Sequence, residues 1–287
     1  MDRPICLARL SDGAESFVAS VVGETVYPLG LPGAGQQLSD LLESDDPVAA
    51  VRTLESASAP RPLAGLTWLS PLDRQEVWAA GVTYTRSKSA RMEESEAAAS
   101  CYDRVYTSPR PELFLKATPH RVVGHHGSIR IRTHATWNVP EPELTLVLDS
   151  RLRLVGFTVG NDVSSRDIEG DNPLYLPQAK VYDQSCALGP GIVLAASVSG
   201  AESWPIALSI VRGGSEIFAG RTSVDQMARK FDELIGWLGR DNSFPDGVLL
   251  MTGTGVVPDS TFTLEPGDEV SIEIGPLGTL TNRVIRG

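Results

Sequence analysis

The chain has 287 residues, 41% of them hydrophobic, which is enough to fill a substantial core and excludes disorder as an overall reading. A formal net charge of −11, with no basic run to displace phosphate counterions, argues against a nucleic-acid partner. No stretch approaches the roughly 20 apolar residues of a membrane span, and the opening MDRPICLARL lacks the apolar centre of a signal peptide, so a cytoplasmic protein without a membrane partner is expected.

Short β-like segments from Ile5 to Leu10, Phe17 to Val22 and Thr25 to Leu29 alternate with glycine-containing turns, and a helical pattern follows from Leu38 to Leu54. They predict a small α+β unit over residues 1–65. Ser56-Ala-Ser-Ala-Pro-Arg-Pro62 is the linker candidate, because proline fixes its own φ and disfavours helix in the residue before it. From Arg86 to Ala99 the composition allows a helix with little apolar surface, either a cover over a site or a plain solvated helix. Most later apolar runs are short, β-branched and punctuated by Gly and Pro, which predicts a β-rich catalytic domain over residues 66–287 and a mixed α+β fold class for the whole chain. One helix is expected from Val224 to Leu238, with Ser223 and Gln226 as its capping box.

The most informative stretch runs from Pro140 to Asp162. Asp149-Ser150 separates two apolar runs, so the stretch reads as a β-hairpin. Alternation along a strand puts Glu141 and Glu143 on one face. Pairing Glu141 opposite Gly160 would bring Asp162 to the same face one diagonal step away, whereas a one-residue slip would send it to the other side. Carboxylates about 5 Å apart repel by roughly 3 kcal/mol at an effective dielectric near 20. A hard cation such as Mg²⁺ compensates naturally and leaves coordination positions for water and a bidentate ligand. An exposed acidic strand edge is the alternative that the spacing alone leaves open.

Several blocks resemble the fumarylacetoacetate hydrolase superfamily: Glu141-Pro-Glu-Leu, Asn161-Asp-Val-Ser-Ser-Arg-Asp167, Lys180-Val-Tyr-Asp-Gln-Ser-Cys-Ala-Leu-Gly-Pro190, Thr252-Gly-Thr-Gly255 and Leu264-Glu-Pro-Gly-Asp-Glu-Val. They occur in order across residues 77–287, and together they are specific where Thr-Gly-Thr-Gly alone would be only a glycine-rich turn. Gly81-Val-Thr-Tyr-Thr-Arg-Ser87, Arg110 to Pro119 and Asn172 to Gln178 are most similar to its 2-keto-3-deoxy-D-arabinonate dehydratase branch. The resemblance implies a small N-terminal domain joined to a β-sandwich roll, a homodimer or homotetramer, and Mg²⁺, with Mn²⁺ or Ca²⁺ as substitutes, on Glu141, Glu143 and Asp162.

It also implies a metal-dependent hydro-lyase acting on a 2-keto-3-deoxy sugar acid. The alternatives are a hydrolase or decarboxylase of a 2,4-diketo acid and a non-catalytic keto-acid-binding protein. Family members that hydrolyse carbon–carbon bonds carry a histidine general base where this chain has Ser87, and a neutral serine cannot take that proton unaided. Glu112 is the candidate for proton transfer, with Lys180 to neutralise substrate charge or assist. Ser87, Thr254 and the Gly253 backbone fall on the substrate side, and Arg166 is placed to brace the acids or the substrate. His120, His125, His126 and His134 lack metal-ligand spacing and read as loop residues. Cys6, Cys101 and Cys186 lack CxxC spacing and read as reduced thiols, with Cys186 a buried structural one.

Overall fold

The computed structural model describes residues 3–30, 37–84, 104–106 and 108–287. The chain opens with β1 (Cys6–Ser11), β2 (Ser16–Val22) and β3 (Thr25–Pro28), followed by α1 (Leu38–Leu42) and α2 (Pro47–Ala57). Short strands β4 (Arg61–Pro62) and β5 (Thr67–Trp68) lead to β6 (Glu76–Gly81) and β7 (Glu112–Ala117). Then come β8 (Val122–Val123), β9 (Ser128–Ile131), β10 (Asn138–Val139), β11 (Pro142–Leu148), β12 (Leu154–Asp162) and β13 (Ser164–Ser165). Helices α3 (Arg166–Asp171) and α4 (Leu176–Lys180) precede β14 (Cys186–Leu194), β15 (Pro205–Arg212) and β16 (Ser215–Ser223). Helix α5 (Phe231–Leu238) and strands β17 (Val248–Met251), β18 (Glu269–Ile274) and β19 (Thr279–Arg286) complete the chain.

The strands form two main sheets. The larger runs β4-β3-β2-β1-β14-β12-β11-β17-β6-β7, and the smaller runs β16-β15-β18-β19-β9. Leu144, Leu146, Phe157 and Val159 of the larger sheet share one buried cluster with Ile206, Leu208, Ile272 and Leu280 of the smaller, so the two sheets pack face to face. On the opposite face, Leu38, Leu41, Leu42 and Val51 from α1 and α2 cover Leu188, Ile192 and Val147. The expected β-rich sandwich with a small N-terminal α+β part is therefore present, and β1 joins that part to the large sheet by pairing with β14.

Four local expectations shift. The pattern from Leu38 to Leu54 is two helices, because Pro47 lacks the N–H a continuing helix needs and instead starts α2, where Asp46 Oδ1 accepts from Ala49 N–H at 2.9 Å. The linker candidate is ordered: its first residues end α2, and Arg61–Pro62 pairs with β3 at the sheet edge, where proline is tolerated. The helix expected from Val224 begins at Phe231. Ser223 Oγ bonds Asp225 rather than closing a capping box, and Met227 and Ala228 are drawn into extended contact with Tyr84 and Thr83, where Ala228 N–H donates to Thr83 O at 2.8 Å. The β11–β12 hairpin sets Glu143, not Glu141, opposite Gly160. A shift of two residues preserves the face of every side chain, so the three acids still converge.

Candidate metal centre

β11 lies between β12 and β17, and all seven of its residues are buried. Its neighbour β12 is in turn held by β14. A central strand is clamped by ladders on both sides, so Glu143 on β11 is rigidly positioned, with Glu141 just before that strand and Asp162 at the end of β12. Glu141 N–H donates to Asn161 Oδ1 at 3.2 Å and Asp162 N–H to Glu141 O at 3.0 Å, which sets Asp162 directly across from Glu141. Glu141, Glu143 and Asp162 each offer an oxygen within 4.8 Å of the others, and none is more than 3% exposed.

Three cations meet these three acids. Lys180, at the C-terminus of α4, donates Nζ to Glu141 Oε2 at 2.8 Å, Asp162 Oδ2 at 3.0 Å and Ser164 Oγ at 2.7 Å. Arg166 Nη2 lies 2.9 Å from Glu141 Oε1, so Arg166 braces Glu141 and not Asp162. The third is Lys116, fully buried on β7, with Nζ 2.6 Å from Asp162 Oδ1 and 3.1 Å from Val163 O. Lys116 has no role in the sequence reading. The available signal was a lysine on the same strand face as Glu112 and Phe114 within an otherwise apolar strand.

Glu143 differs from the other two acids. It accepts from Gly253 N–H at 2.6 Å but has no lysine or arginine at ion-pair distance among the described residues. Burial, then Asp162 and Glu141, push its carboxyl well above the usual range, against the pull of Lys180 and the Gly253 N–H. Gly253 can make that approach because it sits at φ +90°, and a Cβ there would fall 2.1 Å from Thr83 Oγ1.

A cavity of about 10 Å³, room for one ion or water, is lined by Glu141, Glu143, Asp162, Arg166, Lys180, Gly253 and Thr254, together with Gly81 and Phe114. These hard oxygen donors, crowded and dry, fit a divalent cation of the magnesium type. The Thr254 hydroxyl is turned to Val256 O at 3.0 Å. Glu112 is outside the lining, but its carboxylate lies over Gly81 at the cavity margin, where a Cβ would meet Oε2 at 2.0 Å. Ser87, the segment from Arg86 to Ala99 and Cys101 lie outside the described residues.

The histidines stay apart from this centre. His125 Nδ1 accepts from Thr281 N–H at 3.0 Å, and burial followed by His126 lowers its pKa to about 4, so it is neutral. The only group of metal-ligating side chains found among the described residues is the carboxylate triad. Cys186 is buried, its thiol pushed up to about 12, which leaves it unreactive. No helix among the described residues is long and apolar enough to cross a membrane.

Comparison with known proteins agrees with this geometry. Residues 76–285 match the family model described as fumarylacetoacetate (FAA) hydrolase C-terminal. Over 214 residues the chain is 48% identical to a probable 2-keto-3-deoxyxylonate dehydratase of Haloferax volcanii, covering 75% of this chain and 73% of that one. It is 44% identical over 217 residues to the 2-dehydro-3-deoxy-D-arabinonate dehydratase of Saccharolobus solfataricus, with the same coverage. Among solved structures it is similar to 2-keto-3-deoxy-D-arabinonate dehydratase complexed with magnesium and 2,5-dioxopentanoate, with a TM-score of 0.83, 34% identity and coverage of 98% and 99%. The sandwich, the carboxylate triad and a family match over most of its length make this chain a member of the fumarylacetoacetate hydrolase family.

Proposed function

We propose that the protein is a magnesium-dependent hydro-lyase that removes water from a 2-keto-3-deoxy pentonate to give 2,5-dioxopentanoate. The observation that carries this reading is the buried triad Glu141, Glu143 and Asp162, with oxygens within 4.8 Å of one another, in a chain 44–48% identical to dehydratases of such acids. When bound by these three residues, the ion supplies Lewis-acid polarisation of the 2-oxo group and a counter-charge for the oxygen that becomes negative.

The chain's own residues do the rest. Lys116, Lys180 and Arg166 hold two of the acids in place, and the free energy of that fixed arrangement is spent in folding rather than during the reaction. Lys180 and the Gly253–Thr254 turn border the cavity, and we assign the substrate carboxylate to that side. Glu112, at the margin over Gly81, takes the C3 proton and returns it toward the C4 hydroxyl as that group leaves as water. The resulting C3–C4 double bond then migrates as one hydrogen moves from C5 to C3, and the enol at C5 becomes the aldehyde. Overall, one water is lost and no oxidant is needed. Ser87 stands in the sequence where hydrolytic members carry a histidine, which favours water loss over hydrolysis. Assembly as a homodimer or homotetramer and a cytoplasmic location, which suits reduced thiols, complete the proposal.

The test is to incubate the protein with 2-keto-3-deoxy-D-arabinonate and 2-keto-3-deoxyxylonate, with Mg²⁺ or with EDTA, beside acylpyruvate and oxaloacetate. Formation of 2,5-dioxopentanoate that stops with EDTA is expected. Acid release from acylpyruvate or carbon dioxide from oxaloacetate, with no water loss from the pentonates, would overturn it.

A further inference from the structure

Away from the metal centre lies a cleft that holds three arginines and a single acidic side chain among its lining residues. It has a volume of about 280 Å³ and is bordered by Arg121, Arg130, Arg132, His134, Tyr182 and Asp183, with Gly287 packed beside the Arg130 guanidinium, from the end of β9, the turn 119–121 and the loop that follows Lys180. Several arginines elsewhere in this acidic chain sit on carboxylates. Arg3, Arg9, Arg153, Arg166 and Arg212 each have one within 3.3 Å.

The cleft arginines differ from these. Arg121 Nη1 donates to the neutral Thr118 hydroxyl at 2.9 Å, and its nearest acid, Asp183, is 3.8 Å away and 75% exposed. Arg130 gives Nε to the neutral Gln184 Oε1 at 2.8 Å and, among the described residues, has no carboxylate at ion-pair distance. Arg132 lays its guanidinium over the Tyr182 ring at 4.5 Å, and its buried Nε has no hydrogen-bond acceptor. Stacking on an aromatic face fixes the plane of a guanidinium and leaves its edge free to bind, so Arg132 is already oriented. Three arginines gathered with one acidic side chain, itself mostly exposed, leave a surplus of positive charge that an anion would relieve.

We propose that this cleft binds the phosphate group of a small phosphorylated metabolite. A carboxylate offers two oxygens and one charge. A phosphate monoester offers three terminal oxygens and a charge of about −1.5 to −2, which suits three guanidinium forks. The cleft volume exceeds that of a bare oxyanion and leaves room for the organic part. Bound there, the ligand ties the end of β9 and the turn 119–121 to the loop that begins at Lys180.

The experiment is calorimetric titration of the protein with glycerol phosphate and with inorganic phosphate, using acetate at matched ionic strength as control. It is run with saturating Mg²⁺ and again with EDTA, so that anion binding at the metal centre is recognised by its dependence on metal. Saturable one-to-one binding of glycerol phosphate that survives EDTA is expected, weakened about 10-fold in Arg132→Gln by loss of one charged hydrogen-bonding group. Arg130→Gln, on the strand end, should weaken it as well. Asp183→Asn, which removes the competing acid from an exposed position, should tighten it, and this readout survives if either arginine variant fails to fold. The proposal is overturned if glycerol phosphate gives no saturable heat, if acetate displaces it equally well, if binding vanishes with EDTA, or if none of the three variants changes the affinity.

Discussion

Replacing Glu143 by Gln separates the cost of the metal centre from its benefit. The three acidic oxygens lie within 4.8 Å of one another, and two unit charges at that distance repel by about 3.5 kcal/mol at an effective dielectric near 20. Among the described residues Glu141 and Asp162 each have direct ion pairs, whereas Glu143 meets both neighbours with the Gly253 N–H in contact and Lys180 acting from further off. Partial protonation relieves some of this repulsion, which leaves a net penalty of about 1–3 kcal/mol in the metal-free protein. Glutamine keeps an acceptor for Gly253 and drops the charge. In EDTA the variant should therefore be the more stable, by roughly 2–6 °C in Tm. The gap should also depend on pH. A carboxyl whose folded pKa is raised contributes stability that is complete below its unfolded pKa and is lost as pH rises through the folded one, so wild type and variant should coincide in acid and diverge toward neutral and alkaline pH. With Mg²⁺ the order should reverse, since wild type gains about 4.1 kcal/mol at a metal concentration 1,000 times Kd, more than the penalty, and the variant loses that gain. Scanning calorimetry across pH, with and without Mg²⁺, reads all three effects. A variant less stable than wild type in EDTA at neutral pH, with a gap that does not vary with pH, would refute the reasoning.

Three further outcomes follow from the same geometry. Glu112→Gln should lower turnover by roughly 10²- to 10⁴-fold while Mg²⁺ affinity, measured by calorimetry, stays near wild type; near-normal turnover removes Glu112 from the reaction. Gly81→Ala places a methyl where the Glu112 carboxylate now lies, so it should lower turnover with little change in Tm, by displacing the acid rather than deleting it. Lys116→Met strips a fully buried cation from Asp162 and should cost about 3–5 kcal/mol in denaturant unfolding, and a loss below about 1 kcal/mol would show that the pair is dispensable.

Some of this site was legible in the sequence because its logic is local. Glu141 and Glu143 share a face by alternation alone, and Asp149-Ser150 marks the turn that brings Asp162 back beside them. Even the misjudged register cost nothing, since a shift of two residues keeps the face. Lys116 was not legible. Alternation groups it with Glu112 and Phe114, but which way that face points depends on β7 pairing with β6, β6 with β17 and β17 with β11, and the last two of these contacts span more than a hundred residues. The helix from Val224 failed for a related reason: its periodicity was real only from Phe231 onward, and the preceding residues were taken by Tyr84 and Thr83, which lie far away in the chain. Proline gave the opposite kind of error. At Pro47 it starts a helix, and at Pro62 it ends an edge strand, two uses of the same missing N–H that composition does not distinguish.

The balance of charge at the centre explains why such a site can fold before it binds anything. Three carboxylates face Lys116, Lys180 and Arg166, so the cluster is formally neutral although every member is nearly inaccessible to water. Neutrality alone does not make it a stabilising element, because well-packed apolar side chains of the same volume would serve stability as well or better. Among the described residues the cations are also unequally shared, two on Asp162, two on Glu141 and none in contact with Glu143. An evenly paired cluster would be satisfied and inert. One acid is left, among the described residues, with a backbone N–H alone, next to Gly253, and a divalent ion entering there displaces its proton and meets ligands that need not reorganise. The stability given up at Glu143 thus becomes binding free energy for the metal, which is why we expect the metal-free and metal-bound rankings of Glu143→Gln to be opposite.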